Sequence, residues 1–202
     1  DWEMVRRYVP EGKLVPELHQ DFAVPKADVE KLLELVIVQD IYPAKRSACL
    51  CLALNFFLGL RVGELASLTW KDVDWKRKAV RICKTETKAY RRDENGDRAG
   101  AMVYQVVEET KTVFSVREVP LLPEAVYILE QLRLHHDRCG YQGRCLAYDG
   151  KSTILVRSLD RTLRKLCQYC NIRYFNTHMI RKTFATMLHA SGMPTRYISD
   201  LL

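Results

Sequence analysis

Asn176-Thr177-His178-Met179-Ile180-Arg181 opens a helix near the end of this 202-residue chain. Asn176 or Thr177 can cap its first turn, and Gly192 followed by Pro194 stops it. Ile180, Phe184, Met187 and Leu188 recur at helical spacing and mark the buried face. His178 and Arg181, three residues apart, share a side of that helix, with Arg181 at the edge of the apolar stripe. A guanidinium half inside a core needs an anion, and no carboxylate lies within one helical turn of it. The partner then comes from elsewhere in the fold or from a ligand. The plainer alternative makes His178 a first-turn surface residue and Arg181 a rim charge lying over its own stem. One His-x-x-Arg is a weak signal, so the choice turns on a second arginine far upstream.

That arginine is Arg61. Ser47 to Leu58 is apolar almost all round, and a helix of that kind is buried on every side. Gly59 ends it, Arg61 follows, and a short helix from Val62 to Leu68 begins at once. An arginine emerging there is expected to be largely desolvated, which is costly without an anion or a dense set of acceptors. Glu64, one turn on, is the internal partner. Two readings stand: a structural Arg61–Glu64 pair, or an Arg61 held rigid from behind by Glu64 so that it grips a phosphate bidentately.

Outward from these two points the pattern is mostly helical. Residues 1–24, with Pro10 and Pro16 and no sustained periodicity, read as an interdomain linker or arm, and residues 25–202 as one domain. Lys26 to Gln39 is helical, with Val29, Leu32, Leu33 and Val36 on one side. After Trp70 to Trp75 the period changes. Ala79 to Cys83, Ala101 to Val107 and Val116 to Val119 are β-rich and predict a small antiparallel sheet. The charged stretch Thr85 to Gly100, with its Asn95-Gly96 turn signal, reads as a solvated loop, and Thr110 to Ser115 as a hairpin with Lys111 at its tip. Pro123 opens a helix to about Arg138, buried through Val126, Leu129 and Leu132. Helices from about Ser152 to Cys170 and from Thr195 onward complete the set. The fold class is therefore mainly α with a small three-stranded antiparallel sheet, an α+β arrangement.

Lys and Arg number 32 against 25 Asp and Glu, a net charge of +7 that favours nucleic acid or another polyanion as partner. No run is long enough to span a membrane and no signal-peptide pattern opens the chain, so a cytoplasmic, reducing setting is the default. Seven cysteines, an odd number, argue against a disulfide framework. Cys139, Cys145, Cys167 and Cys170 raise the question of zinc. Cys170 continues the helical stripe Val156, Leu159, Leu163 and Leu166, however, and the first pair has the wrong spacing for a knuckle. Zinc is the weaker reading, and no metal is expected.

Three stretches in order carry a family resemblance: Gly59-Leu60-Arg61-Val62-Gly63-Glu64-Leu65; Thr110-Lys111-Thr112 leading into Arg117-Glu118-Val119-Pro120-Leu121; and His178-Met179-Ile180-Arg181-Lys182-Thr183-Phe184-Ala185-Thr186. Together they resemble the tyrosine recombinases, the phage-integrase family, and within it the integrases of conjugative transposons. The resemblance covers residues 25–202 and implies a mostly helical catalytic domain with a small sheet. It implies cleavage and rejoining of double-stranded DNA at recombination sites through a 3′-phosphotyrosyl link, with no metal or nucleotide cofactor. Integration and transposition of a mobile element are the corresponding processes. Arg61 and Arg181 match the two arginines that clamp the scissile phosphate, and His178 the general acid/base. Lys111 matches the hairpin lysine that protonates the leaving 5′ oxygen, and Glu64 an acidic position supporting the first arginine. Lys84, also followed by Thr, is a rival for the lysine role.

Two fixed guanidiniums suit such chemistry because charge builds on the nonbridging oxygens as a tyrosine attacks the phosphodiester. A histidine moves protons near neutral pH, and a lysine supplies one to a poor alkoxide leaving group. In the family the nucleophilic tyrosine lies past a Gly-His step beyond the position of Leu202. Tyr197 is too close to Arg181 and reads as helix packing beside Ile198 and Leu201. The domain is thus expected to be truncated before its nucleophile, inactive alone and monomeric, where full-length members form homotetramers on DNA. The rivals are a non-catalytic DNA-binding regulator sharing the fold, a type IB topoisomerase segment, and a zinc-dependent interaction module.

Overall fold

A computed structural model of the chain describes residues 23–95, 97–108, 116–141 and 145–202. Its elements in order are α1 (Lys26–Ile37), α2 (Arg46–Leu58), α3 (Val62–Ser67), β1 (Val73–Asp74), β2 (Ala79–Ile82), β3 (Lys84–Arg92), β4 (Arg98–Glu108), β5 (Arg117–Pro120), α4 (Pro123–Arg138), α5 (Val156–Tyr169), α6 (Thr177–Ala190) and α7 (Thr195–Leu201). Short 3₁₀ turns at Pro43–Lys45 and Trp70–Asp72 precede α2 and β1.

Helix α2 is buried from Ser47 to Leu58 with only Phe57 half-buried, as its all-round apolarity requires. It packs against α1, α4, α5 and α6, so four helices find their places on one rod. Each of its fully buried leucines contributes about 2 kcal/mol by removal from water. Its end is built with equal care. Asn55, itself buried, donates from Nδ2 to the Leu60 carbonyl at 3.1 Å and accepts the Leu60 N–H at 2.8 Å. Gly59 turns the chain at φ 61°, and a Cβ there would run into the Phe184 ring. That turn delivers Arg61 and α3 to the edge of the body.

The sheet differs from its expected composition. The three-stranded antiparallel sheet is β1-β2-β5, and β2 pairs directly with β5 through Val80 with Val119 and Ile82 with Arg117. The Ala101–Val107 stretch is not its middle strand. It belongs to β4, which among the described residues pairs with β3 alone in a separate hairpin, Thr85 opposite Val107 and Tyr90 opposite Met102. Thr85 to Gly100 is therefore chiefly strand rather than loop. Its polar side chains tolerate that role because an antiparallel pair can keep one face in water. The turn lies at Asp93–Asp97, where the Asp93 N–H donates to the Asp97 carbonyl at 2.9 Å; Gly96 of the turn signal falls outside the described residues.

Strand β3 docks this hairpin on the body. Gly63 lies so close beneath β3 that a Cβ would meet the Glu86 carbonyl oxygen at 2.5 Å and Thr85 Oγ1 at 2.6 Å. Glu86, buried, accepts the Val156 N–H at 3.0 Å and so caps α5, whose own N-cap residue is Leu155. Pro123 occupies the first turn of α4 as expected, where its missing N–H costs nothing. That helix buries Ala125, Ile128, Leu129, Leu132 and His136, while Val126 is only half-buried. Helix α5 starts at Val156, four residues later than anticipated, because Asp149 to Ser152 form a turn. A second, smaller cluster of Phe184, Leu188, Met193 and Ile198 holds α7 against α6. Residues 1–22 of the expected arm lie outside the described residues. Among the described residues, no helix is long and apolar enough to cross a membrane.

Candidate active site around Glu64

Helix α3 has six residues, too few to persist without outside support, and its third residue supplies that support. Glu64 folds back so that Oε2 accepts the Arg61 N–H at 2.9 Å, closing the first turn. The carboxylate is fully buried, at 0 % exposure, and a lone buried carboxylate would be driven to its neutral form. Three guanidiniums prevent this. Arg61 Nη1 lies 2.9 Å from Oε1. Arg117, from β5, meets both oxygens, Nη1 to Oε1 at 3.1 Å and Nη2 to Oε2 at 2.8 Å. Arg181, from α6, places Nη1 at 3.8 Å from Oε2 and donates to the Gly59 carbonyl at 2.8 Å and to that of Leu202.

The structure thus brings Arg61, Glu64 and Arg181 together, and the distant partner that the α6 arginine required is Glu64. One expectation is corrected. Arg61 is not desolvated: its side chain is 60 % exposed, against 12 % for Arg181 and 8 % for Arg117. The Gly59 turn carries it out of the core, so one edge rests on Glu64 and the rest faces solvent. Burial pushes the Glu64 carboxyl up, but the Arg117 hydrogen bond and charge, with the Arg61 contacts, outweigh it and hold the group below the ordinary carboxylate range. Burial, aided by the Arg61 charge, draws Arg181 down to about 10, which leaves it cationic at neutral pH. Three positive charges against one negative leave a surplus of two, suited to a phosphodiester anion.

His178 sits in the first turn of α6, exposed, one turn before Arg181. The cap of that helix is Asn176, whose Oδ1 accepts the Met179 N–H at 3.0 Å; Thr177 instead donates to Asp160 Oδ1 at 3.1 Å. Lys111 and the Thr110–Ser115 stretch lie outside the described residues. Its rival Lys84 is held by Asp72 Oδ2 at 2.7 Å and Thr69 Oγ1 at 3.1 Å. Tyr197, on α7, is 41 % exposed, against 6 % for Ile198 beside it. Cys167 and Cys170 are buried in the core, and burial pushes the Cys170 thiol up to about 11, the behaviour of a small hydrophobe. Among the described residues no group of three His, Cys, Asp or Glu side chains could hold a metal ion.

Arg117 is the member that the sequence reading left without a role. A signal for it existed. Strand side chains alternate, so Arg117 shares the inward face with the buried Val119, while Glu118 points out to Arg77 at 2.8 Å. An arginine on the buried face of a strand demands an anion as surely as one on a helix.

The chain is similar to known proteins along most of its length. The family model for the phage integrase family matches residues 23–202. The chain is 30 % identical over 161 residues to a XerC-like tyrosine recombinase from Caldanaerobacter subterraneus subsp. tengcongensis, covering 74 % of this chain and 40 % of that protein. It is 25 % identical over 183 residues to a tyrosine recombinase from Pseudothermotoga lettingae, covering 90 % of this chain and 51 % of that one. The chain therefore spans about half the length of the curated relatives it matches. Its fold is similar to that of the Tn1549 transposon integrase solved in complex with circular intermediate DNA, with a TM-score of 0.69 at 19 % identity, covering 92 % of this chain and 59 % of that one.

Proposed function

Because the chain belongs to the phage integrase family, the tyrosine recombinases, we propose that residues 25–202 are the catalytic domain of a site-specific DNA recombinase, joined to the rest of the protein by residues 1–24. Its substrate is double-stranded DNA at the recombination sites of a mobile element. One observation supports this reading above the others: guanidiniums from positions 61 and 181 meet at a single carboxylate.

The chemistry follows from that arrangement. A tyrosine hydroxyl attacks the scissile phosphorus, the P–O5′ bond breaks and a P–O(Tyr) bond forms. Arg61 and Arg181 stabilise the charge that builds on the nonbridging oxygens, where fixed donors have their largest effect. His178 acts as the acid/base at the reacting oxygens, and Lys111 gives the leaving 5′ oxygen its proton. Attack by the 5′-hydroxyl of another strand reverses the step and restores the phosphodiester. The phosphotyrosyl link conserves the bond energy, so neither nucleotide nor metal enters the balance. The attacking tyrosine is none of those in the 202 residues. The isolated chain is then an inactive monomer, and the whole protein joins two sites as a tetramer on cytoplasmic DNA.

A nicked suicide substrate, run on a denaturing gel, tests this. The whole protein is expected to form a covalent adduct and the 202-residue chain none. Loss of the adduct on Tyr197→Phe would overturn the placement of the nucleophile. A whole protein that binds the sites without forming an adduct would overturn the function and leave a DNA-binding regulator of the same fold.

A further inference from the structure

The three guanidiniums at Glu64 are not equivalent. Arg117 spends its whole fork on the interior: Nη1 and Nη2 on the two carboxylate oxygens, Nε on the Leu201 carbonyl at 2.8 Å. Its side chain is 8 % exposed, so it faces no substrate. Arg61 touches the carboxylate through one nitrogen of its guanidinium and is otherwise open. Arg181 stands 3.8 Å away, beyond hydrogen-bond length, and donates to backbone carbonyls instead. A carboxylate this deep must be neutralised by something. If Arg117 were absent, the Glu64 oxygens it occupies would draw in Arg61 and Arg181, and the charge of both would be consumed internally.

We propose that Arg117 is a positioning residue for strand cleavage: it is the dedicated counter-ion of Glu64, and it leaves the charge of Arg61 and Arg181 available to the scissile phosphate. This rests on the phosphate-clamp reading above. The contact to Leu201 extends the same role to the last turn of α7, which Arg117 ties to the floor of the site. Lysine cannot replace it fully, because a single ammonium cannot bridge two carboxylate oxygens and a carbonyl with the geometry of a planar fork.

The test uses the whole protein and the nicked substrate, with cleavage measured in single turnover at saturating and subsaturating DNA and the melting temperature of each variant recorded. Arg117→Gln is expected to slow cleavage at saturation by about a hundredfold. The DNA concentration at half-saturation should move by less than about threefold, since the lost interaction acts on the reacting charge and not on docking. Arg117→Lys should recover about a tenth of the parental rate. Because Arg117 works through Glu64, the double variant Glu64→Gln/Arg117→Gln should cleave within about twofold of Glu64→Gln alone. That neutral pair also removes the unpaired buried charge, so the comparison survives if Arg117→Gln folds poorly. Parental cleavage by Arg117→Gln, or losses that multiply in the double variant, would overturn the inference alone. A parent protein that forms no adduct would overturn the proposed function and this inference with it.

Discussion

Glu64 and His136 are both shut away from water, one ringed by charge and the other by neutral partners. The His136 imidazole lies between α2 and α4, with Nε2 3.1 Å from Ser47 Oγ and Nδ1 facing the Trp70 indole N–H at 3.4 Å. An indole can only donate, so Nδ1 is the accepting nitrogen and the proton is assigned to Nε2. Burial, with His135 alongside, pushes the group down to about 4 and keeps it uncharged. Glu64, buried more completely, stays ionised because three guanidiniums surround it. Burial by itself discharges a titrating group. Keeping the charge requires imported counter-charges, and at Glu64 their surplus becomes a binding surface. The His136 nest has no surplus and only holds helices together.

The sharpest way to break this contrast is to remove a surplus charge. In the whole protein, Arg181→Ala or Arg61→Ala should slow single-turnover cleavage by about a thousandfold or more. DNA affinity at fixed salt should change little, because binding draws on many phosphate contacts. If affinity and cleavage fell together, the cluster would be a docking surface and no more.

Stability separates the two regions next. Glu64→Ala leaves the buried Arg117 guanidinium without its carboxylate and should cost about 3–5 kcal/mol in a denaturant melt of the chain. The pH dependence of the same melt then sharpens the comparison. The folded pKa of His136, about 4, lies below its ordinary 6.5. Its contribution is therefore complete above pH 6.5 and declines as pH falls from there toward 4, by on the order of 2–3 kcal/mol. Glu64 is also lowered, from 4.5, so its contribution begins to fall only below that pH and is lost as the folded value is crossed. His136→Phe should remove most of the loss above pH 4.5, the remainder belonging to His135, which burial and the Arg46 charge also hold below 6.5, and should leave cleavage unchanged.

The Glu64 site and the β3–β4 hairpin differ in how much of each a local sequence pattern reveals. Arg61 and Arg181 were conspicuous because each abuts an apolar run, where a guanidinium is an anomaly that local pattern alone exposes. The all-round burial of α2, its Gly59 stop and the Pro123 start of α4 were legible for the same reason, since each is a property of a few adjacent residues. The β3–β4 hairpin was not, because Lys84-Thr85-Glu86-Thr87-Lys88 has no apolar alternation. What makes it strand is pairing with β4, the backbone approach at Gly63 and the Glu86 cap on α5, all of them tertiary. The exposure of Arg61 is not legible locally, because the direction in which the chain leaves the Gly59 turn, at φ 61°, is set by the packing around it. Arg117 stands in the sequence only as part of a stretch that carries the family resemblance, because the carboxylate that gives it a role lies far off on α3.

Gly63 is the chain neighbour of Glu64, on which the guanidiniums converge. Helix α3 and the hairpin touch there backbone to backbone, with a hydrogen atom as the only spacer. A methyl group in its place would act as a wedge, tilting either the hairpin outward or the short helix inward, and Glu64 rides on that helix. The alignment of the site is thus guarded by a position that contributes no chemistry, and its weakest point is a residue with nothing to lose but its smallness.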